Sequence, residues 1–393
     1  MPGSERTAPR IELAQLNAHL IRWLAVSAYP LWAARGIDAR NGGFVETLDQ
    51  NGSDLAAPRR ARVQPRQIFA FAKAPHFGWR GDFAGIVRRG IHFFTQHYRR
   101  ADGLFRTLVA ADGSVLDEQA LLYDQAFALL GYAGAAAALD RLDEFERLAL
   151  GLRTQIDNRL SASAGAYRSS PDRSGNLESN PHMHLLEACL AWAEIGNDPD
   201  WAAWANEIAG LALARLLRRD SGAVGEAFSP DWRPAAGMAG RIIEPGHQFE
   251  WAWLLLRCNP RPGPLRQAAL RLISIGEAMG VHHGVAVNAL LDDFSIHDPN
   301  ARLWPQTERL KAALLAARVT GDEQYGSMAV AAASSLLPYL RTPVAGLWFD
   351  TQLPNGALLV SAAQASTFYH LVGAIAALDE ALANPAPTGN AES

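Results

Sequence analysis

A histidine and a glutamate three residues apart are the first residues in this sequence that could do chemistry. His247 and Glu250 lie in the stretch Glu244–Trp251, just after Pro245, which favours the first turn of a helix. At this spacing both side chains share one helical face. The positive end of the helix dipole is expected to lower the pKa of His247, which predicts a neutral, basic imidazole with a carboxylate nearby to orient it. The alternative is a capped helix start without a catalytic role.

Comparable polar and aromatic residues lie at the starts of the other helices that the sequence predicts to be buried. Alone, each has a structural interpretation: His184 and His370 could be core histidines, Trp304 could be core packing, and Arg62 could pair with a surface carboxylate. Their recurrence at equivalent positions of independent repeats favours one shared site. By helical phase, His182 points elsewhere and is interpreted as structural. The further candidates are Arg62, Tyr123, Asp124, His184, Glu187, Trp304, Gln306 and His370.

A repeat of about sixty residues organises the chain. Each unit contains a glycine followed by an alternating stretch and a turn, which is typical of a short β-hairpin. The steps between the opening glycines are 60, 62, 57, 62 and 62 residues. Five nearly equal steps between six units indicate a repeat architecture. The predicted hairpins are 43–52, 103–113, 165–175, 222–232, 284–293 and 346–356.

Between the hairpins the sequence predicts pairs of helices, twelve in all. One helix of each pair is apolar on most faces, as in 116–137, and the next is amphipathic, as in 138–160. Six pairs of inner and outer helices predict an all-α (α/α)6 barrel that forms a single domain over residues 1–383, followed by a disordered tail at 384–393. An open helical solenoid is the alternative, but it would need polar capping repeats at both ends.

The lengths of the connections predict where the site lies. Links from inner to outer helices are short, whereas links from outer to inner helices are long and carry the hairpins. All six hairpins are therefore expected at one end of the barrel, beside the first turns of the inner helices. Because ligands bind in concave sites between elements, this end is the predicted site.

Composition excludes several classes of partner. The net charge of -4 and the pI of about 6.3 argue against binding to nucleic acid or to an anionic membrane surface. No run of about 18 apolar residues could span a membrane. The two cysteines, Cys189 and Cys258, match neither a metal site nor a disulfide framework, so a cytoplasmic protein is expected. We expect a monomer or a homodimer.

The residue types at the predicted site favour proton transfer over other chemistry. Histidines with a pKa near neutrality suit reversible proton transfer at a carbon beside a carbonyl group. The zinc motif His-Glu-x-x-His and glycine-rich phosphate loops are absent, so neither a metal nor another cofactor is expected, although three histidines could still converge on a metal. An inverting glycoside hydrolase, which needs paired carboxylates, and a non-catalytic binding barrel are the other hypotheses.

Five motifs make the chain resemble the N-acylglucosamine 2-epimerase superfamily over roughly residues 15 to 380. They are Arg62-x-x-x-Arg66-Gln, Asn180-x-x-x-His184-Leu-Leu-Glu187-Ala, Pro245-Gly-His-x-x-Glu250-Trp251, Leu303-Trp-Pro-Gln-Thr-Glu308 and Tyr369-His370. The resemblance implies an (α/α)6 barrel that needs no metal, with His247 and His370 as the acid/base pair. It also implies that the sugar is held by Arg62, His184, Glu187, Glu250 and Trp304.

Within that superfamily, two departures indicate a branch. The form Gly-His-x-x-Glu-Trp resembles mannose and sulfoquinovose isomerases, whereas a small residue commonly follows the glutamate in 2-epimerases. A single Trp304 precedes Pro-Gln, whereas many epimerases have two tryptophans there. Both points favour a metal-independent aldose–ketose isomerase that converts D-mannose to D-fructose through a cis-enediol. A sugar 2-epimerase of the N-acylglucosamine or cellobiose type is the alternative.

Overall fold

The computed structural model of the protein describes residues 7–163, 165–171 and 175–384. The predicted tail therefore lies outside the described residues apart from Asn384. The α-helices of this part of the chain are α1 (Thr7–Trp23), α2 (Tyr29–Arg35), α3 (Val63–Ala72), α4 (Phe83–Tyr98), α5 (Leu122–Leu139), α6 (Leu142–Leu160), α7 (Ser179–Ile195), α8 (Asp200–Leu211), α9 (Pro245–Cys258), α10 (Pro264–Ile275), α11 (Leu303–Thr320), α12 (Glu323–Leu336) and α13 (Ala365–Ala383).

Six helices form a closed inner ring, which confirms the predicted barrel. Helix α3 packs against α5, α5 against α7, α7 against α9, α9 against α11, α11 against α13, and α13 returns to α3. The outer helices α4, α6, α8, α10 and α12 each pack against the inner helix that precedes them. The inner helices are buried on nearly every face because they contact both inner neighbours and an outer partner.

The N-terminal helix supplies the sixth outer position and closes the outer ring. A π-helical segment, Leu24–Ala28, joins α1 to α2 in one continuous stretch, and α1 packs against both α12 and α13. The indole of Trp32 stacks on Trp348 with ring centroids 4.9 Å apart. Its Nε1 donates to the carbonyl of Gly346 at 3.1 Å. The first and last units of the chain are therefore packed together.

Short antiparallel strands cover one end of the barrel, as the hairpin pattern predicts. They pair within a unit, as in β3–β4 and β11–β12, and also between consecutive units, as in β2–β3, β7–β8 and β13–β14. Strand β1 pairs with β15, so this layer closes around the ring. The strands are β1 (Thr47–Leu48), β2 (Arg59–Arg60), β3 (Leu108–Val109), β4 (Val115–Asp117), β5 (Ser161–Ser163), β6 (Ala166–Tyr167), β7 (Leu177–Glu178), β8 (Ala227–Phe228), β9 (Val281–His282), β10 (Val285–Ala286), β11 (Ala289–Leu290), β12 (Ile296–Asp298), β13 (Ala301–Arg302), β14 (Thr351–Gln352) and β15 (Ala363–Gln364).

A repeated glutamine clamp fixes these loops to the inner helices. The side-chain amide of Gln64 accepts a hydrogen bond from the N–H of Phe44 and donates one to the carbonyl oxygen of Phe44, both at 2.8 Å. Gln125, Gln248 and Gln306 make the same pair of bonds to Phe105, Val224 and Ala286. In the third unit His182 takes this place and accepts the N–H of Tyr167 at 3.0 Å, so the structural interpretation of His182 is confirmed.

The predicted helix 116–137 was placed too early. In the structure, residues 115–117 form β4, and α5 begins only at Leu122. The apolar side chains of Val115 and Leu116 are exposed on the hairpin, so their hydrophobicity did not indicate a buried helix face.

Candidate active site

A pocket of about 450 Å³ opens at the end of the barrel that carries the strands. Its wall contains Arg62, Tyr123 and His247 from the first turns of inner helices, together with Glu226 and Glu244 from the fourth loop. Trp304 contacts His247 in this wall, and His370 contacts Trp304 in turn.

His247 is held by carboxylates from the loop that precedes its helix. Its Nδ1 lies 2.8 Å from an oxygen of Glu226 and 3.9 Å from one of Glu244. Burial opposes protonation, but the negative charges of Glu226 and Glu244 outweigh burial and raise the pKa of His247 to about 10. The prediction of a neutral His247 was therefore wrong. The carboxylates act more strongly than the helix dipole, and Glu226, not Glu250, orients the ring.

His370 has the opposite charge state. Its Nδ1 lies 2.8 Å from Glu308, and the ring is buried. Burial lowers the pKa of His370 well below its usual value, and the nearby cations Arg66 and Lys311 lower it further. A hydrogen bond from Nδ1 to a carboxylate leaves Nε2 as the unprotonated nitrogen of the neutral ring. His370 is thus a neutral imidazole, in the state that can accept a proton.

Trp304 lies between the two histidines. Its ring centroid is 5.2 Å from that of His247 and 5.6 Å from that of His370. The indole is half-buried, and the added Cβ of an alanine at Gly246 would approach it to 2.5 Å. Helix α9 can therefore carry His247 this close to Trp304 only because residue 246 has no side chain.

A second hydrogen-bonded set connects α7 with α13. The Nδ1 of His184 lies 3.2 Å from Glu187, and the hydroxyl of Tyr369 donates a short hydrogen bond to the same carboxylate. Burial raises the pKa of Glu187, but the hydrogen bond from His184 and the charge of Lys311 lower it to about 2. Burial lowers the pKa of His184 to about 3. This pair is therefore an ionised carboxylate beside a neutral histidine.

Glu250 is a buried carboxyl group whose two oxygens both lack a hydrogen-bond partner among the described residues. Burial and the neighbouring Glu308 raise the pKa of Glu250 well above its usual value. A protonated Glu250 leaves two negative charges, Glu187 and Glu308, opposite two positive charges, Arg66 and Lys311. The buried layer is then electrically neutral, as burial in a low-dielectric interior requires.

Arg62 and Asp124 form an ion pair at the pocket wall. The Nε of Arg62 lies 2.9 Å from Asp124, whose side chain is fully buried, and its guanidinium lies 4.5 Å from the ring centroid of Tyr123. Burial raises the pKa of Asp124, and Arg62 opposes this rise. The guanidinium of Arg66 donates to the Tyr123 hydroxyl at 2.7 Å. The structure therefore brings together Arg62, Tyr123 and Asp124, as expected from their positions at the starts of predicted inner helices.

Three groups of histidine and glutamate side chains bring atoms of the metal-binding type within 4.8 Å of one another. In each group, one histidine–carboxylate pair is already hydrogen-bonded. A cation in either buried group would also have to compete with Lys311 and Arg66 for the carboxylates. The prediction that no metal is required remains a prediction. The groups are His184, Glu187 and Glu250; Glu226, Glu244 and His247; and Glu250, Glu308 and His370.

With this geometry defined, comparisons with known proteins give the family. The family model described as N-acylglucosamine 2-epimerase (GlcNAc 2-epimerase) matches residues 42–374. The chain belongs to the N-acylglucosamine 2-epimerase family. The predicted resemblance is therefore confirmed, and the protein is an enzyme of the sugar isomerase and epimerase type.

Relatives in this family carry different names. A protein of Rhizobium meliloti called mannose-6-phosphate isomerase is 44% identical over 374 residues, which cover 92% of this chain and 96% of that protein. A D-mannose isomerase of Marinomonas mediterranea is 26% identical, over 72% of this chain and 77% of its own length. The cellobiose 2-epimerase of Spirochaeta thermophila has the same fold, with a TM-score of 0.85 at 22% identity over 96% of this chain and 99% of its own.

Gln306 is one of the residues predicted for the shared site, but in the structure its side chain has a different role. Both ends of its amide group are bonded to the backbone of Ala286, and its nitrogen also donates to the carbonyl of Arg302. The side chain is completely buried. Gln306 therefore anchors the fifth loop and has no free polar atom to offer a sugar.

Sequence reasoning missed Glu226, Glu244 and Lys311. Glu226 lies in a hairpin and reaches His247 only through the fold, so nothing local in the sequence indicated its role. Lys311 did leave a signal: it follows Glu308 by three residues on a helix that the sequence predicts to be an inner one, and a lysine in such a position needs a buried partner. Within the described residues, no helix has the length and hydropathy needed to cross a membrane.

Proposed function

We propose that this family member is an aldose–ketose isomerase that converts D-mannose to D-fructose through a cis-enediol. The observation that supports it best is the contrast between two histidines on either side of Trp304. His370 is neutral and its Nδ1 faces Glu308, whereas His247 is protonated between Glu226 and Glu244. A neutral base and a cationic acid in one site are what enolisation of a sugar needs.

The proposed reaction begins with the open-chain aldose. Nε2 of His370 removes the proton from C2, and the electrons of that bond form the double bond between C1 and C2. The imidazolium of His247 stabilises the negative charge that develops on the carbonyl oxygen. His247 gives its proton to O1, and it takes up the proton of O2 as the O2–H bond breaks and the ketone appears at C2. The proton held by Nε2 of His370 forms the new C1–H bond. Return of the proton to C1 gives a ketose, whereas return to the other face of C2 would give the epimer.

The names of relatives and the local motifs support the isomerase branch. The D-mannose isomerase of Marinomonas mediterranea is a relative over most of this chain. Trp251 after Glu250 and the single Trp304 before Pro-Gln are the two features that favour isomerisation in the sequence.

The charge of the pocket wall supports an unphosphorylated sugar. The wall contains the carboxylates Glu178, Glu226 and Glu244. Its cations are already paired, Arg62 with Asp124 and His247 with Glu226. The wall has three carboxylates and two cations, so a phosphate group would meet a net negative charge, which is unfavourable. We therefore expect free mannose to be preferred over mannose 6-phosphate, although one relative is named for the phosphorylated sugar.

Proton NMR of the purified protein with D-mannose in D2O, with EDTA present, tests this proposal. The expected product is fructose with deuterium at C1, and mannose 6-phosphate should react at least about tenfold more slowly in kcat/KM. His370→Ala and His247→Ala should each lower kcat by about 10²- to 10⁴-fold while the fold is kept. Glucose as the first product would make the protein a 2-epimerase.

Other outcomes contradict the isomerase proposal more strongly. Release of reducing sugar from oligosaccharides, unaffected by the histidine substitutions, would indicate an inverting glycoside hydrolase. Stabilisation by a sugar without exchange of its C2 proton would indicate a binding barrel.

A further inference from the structure

A second cavity opens at the end of the barrel opposite the pocket. It has a volume of about 420 Å³ and is lined by the later turns of all six inner helices. We call it the rear well, and one residue from each helix defines it: Phe69, Leu130, Glu187, Trp253, Lys311 and Tyr369. Much of the remaining wall consists of alanine and glycine, so the well penetrates the barrel toward the buried histidines.

Lys311 lies at the inner limit of the rear well and is only 2% exposed. Its ammonium group lies 2.6 Å from one oxygen of Glu308 and 3.7 Å from the ring centroid of Trp253. The other oxygen of Glu308 lies 2.8 Å from Nδ1 of His370. An ion pair and a hydrogen bond that share the Glu308 carboxylate thus connect the rear well with the proposed base.

We propose that Lys311 is a positioning residue, which keeps Glu308 ionised so that Glu308 holds His370 in the tautomer with a free Nε2. We further propose that the rear well gives small cations access to the Lys311 position. This inference rests on the proposed function only where it assigns proton abstraction to His370, because the tautomer itself can be measured without any substrate.

Glu308 needs a cation because its surroundings otherwise favour the neutral acid. The carboxyl group is completely buried, and burial raises its pKa. Lys311 is the main opposing influence. Two further carboxyl groups, Glu187 and Glu250, lie close to it. The titratable and charged groups that face Glu308 are Lys311, Glu187, His184, Glu250 and His370, and those that face His370 are Arg66, Lys311, Glu187, His247, Glu250 and Glu308.

The charge of Glu308 decides which nitrogen of His370 carries the proton. A carboxylate can only accept, so Nδ1 of His370 must donate and Nε2 keeps its lone pair. A protonated Glu308 can donate instead, in which case Nδ1 accepts and the hydrogen moves to Nε2. An imidazole with hydrogen on Nε2 cannot accept a proton there, and selection of the wrong tautomer is a known way to lose general-base catalysis.

Lys311→Ala is the first test. We expect kcat to fall about 100-fold at neutral pH, as for loss of an oriented base. Activity should recover as the pH rises, because Glu308 then loses its proton without help from an ammonium group. The wild type should lack this alkaline recovery. A loss that is equal at every pH would point to a structural role and overturn the proposal.

Chemical rescue tests the role of the rear well. Propylammonium matches the atoms that Lys311→Ala removes and can occupy the site between Glu308 and the Trp253 ring. It should raise the kcat of the Lys311→Ala variant at least about tenfold. The alcohol 1-propanol, which has similar size but no charge, should not. Rescue by both compounds, or by neither, would contradict a specific electrostatic role.

Gly373→Leu provides a matched control for the route. Gly373 lines the rear well, and an added Cβ there meets no atom within 4 Å. Leucine is also more favourable than glycine within a helix. This variant alone should keep wild-type activity, and combined with Lys311→Ala it should prevent rescue by propylammonium. Undiminished rescue in the double variant would show that amines arrive by another route.

Histidine ¹H–¹⁵N NMR provides a reading that does not depend on turnover. The wild type should show His370 with hydrogen on Nδ1, Lys311→Ala should show it on Nε2, and propylammonium should reverse the change. If the alanine variant does not fold, Lys311→Met keeps the packing volume and serves instead. An inactive wild type with the expected change of tautomer would contradict the proposed function but support this inference. An active wild type with an unchanged tautomer in the variant would overturn the inference alone.

Discussion

His247 and His370 illustrate how little of a residue's chemistry depends on its type. Both are buried histidines near the starts of inner helices, and both face a carboxylate through Nδ1. His247 has Glu226 and Glu244 beside it, and their combined charge raises its pKa. His370 has the cations Arg66 and Lys311 nearby, which add to the effect of burial and lower its pKa. The difference between the proposed acid and the proposed base therefore comes from their neighbours.

The raised pKa of His247 predicts a dependence of stability on pH. Because the folded pKa of about 10 lies above the unfolded value of about 6.5, proton binding stabilises the folded state. This contribution is complete below about pH 6.5 and disappears as the pH rises to about 10. Urea unfolding of the wild type should therefore show a free energy of unfolding that falls across this window.

His247→Gln is the control for that prediction. It removes the titrating group, so the part of the pH dependence that belongs to His247 should be absent from its unfolding curves. If the free energies of unfolding of the two proteins fall in parallel between pH 6.5 and 10, His247 is not protonated in the folded state. The activity of the wild type should decrease as His247 loses its proton near pH 10.

The sequence indicated which side chains gather in the site but not how they are protonated. The positions of His184, His247 and His370 follow from helical spacing within repeated units. Their charge states depend on Glu226, Arg66 and other partners from elements far away in the chain. Long-range electrostatic contacts of this kind leave no local pattern, so the expected effect of the helix dipole on His247 was given too much weight.

At the scale of elements, the glutamine clamp makes each loop part of the barrel wall. Gln64, Gln125 and Gln306 each follow their backbone partner by 20 residues, and this spacing is visible in the sequence once the repeat is known. Each clamp satisfies a buried N–H and a buried C=O that would otherwise lack partners. The loops can therefore hold carboxylates such as Glu226 in fixed positions although their strands are only two or three residues long.

Gln306→Ala should reveal the strength of one clamp. The substitution leaves the N–H and C=O of Ala286 buried and unpaired, and each such group costs about 1–3 kcal/mol. We expect the free energy of unfolding to decrease by about 2–4 kcal/mol in urea titrations. Gln119→Ala, at an exposed loop position, should change it by less than about 0.5 kcal/mol. Equal effects of the two substitutions would mean that the clamp does not stabilise the loop.

The elements themselves were predictable to different degrees. The start of α9 matches its predicted position because Pro245 marks the first turn, and the six glycine-led hairpins gave the number of units. The pairing of strands between neighbouring units, as in β7–β8, was not predictable because two-residue strands have no measurable periodicity. For the same reason β4 was mistaken for the beginning of α5.

At the scale of the whole molecule, the two ends of the chain meet at one seam. The N-terminal helix packs against α12 and α13, and Trp32 stacks on Trp348 and on Phe368. The hydroxyl of Tyr29 also donates to the carbonyl of Ala70 in α3, the first inner helix. The helix α13 carries His370, so the seam that closes the ring also supports the proposed base.

Removal of residues 1–35 should therefore disrupt the whole barrel and not only its first unit. It would expose the apolar faces of α12 and α13 that now contact Leu20, Leu24, Tyr29 and Trp32, all of which are completely buried. We expect the shortened chain to lose its single cooperative thermal transition, measured by circular dichroism, and its activity. A synthetic peptide of residues 7–35 added in trans should restore part of both. Removal of residues 385–393 should leave the melting temperature unchanged. If the chain without residues 1–35 melts at the wild-type temperature, the ring is stable without its N-terminal helix.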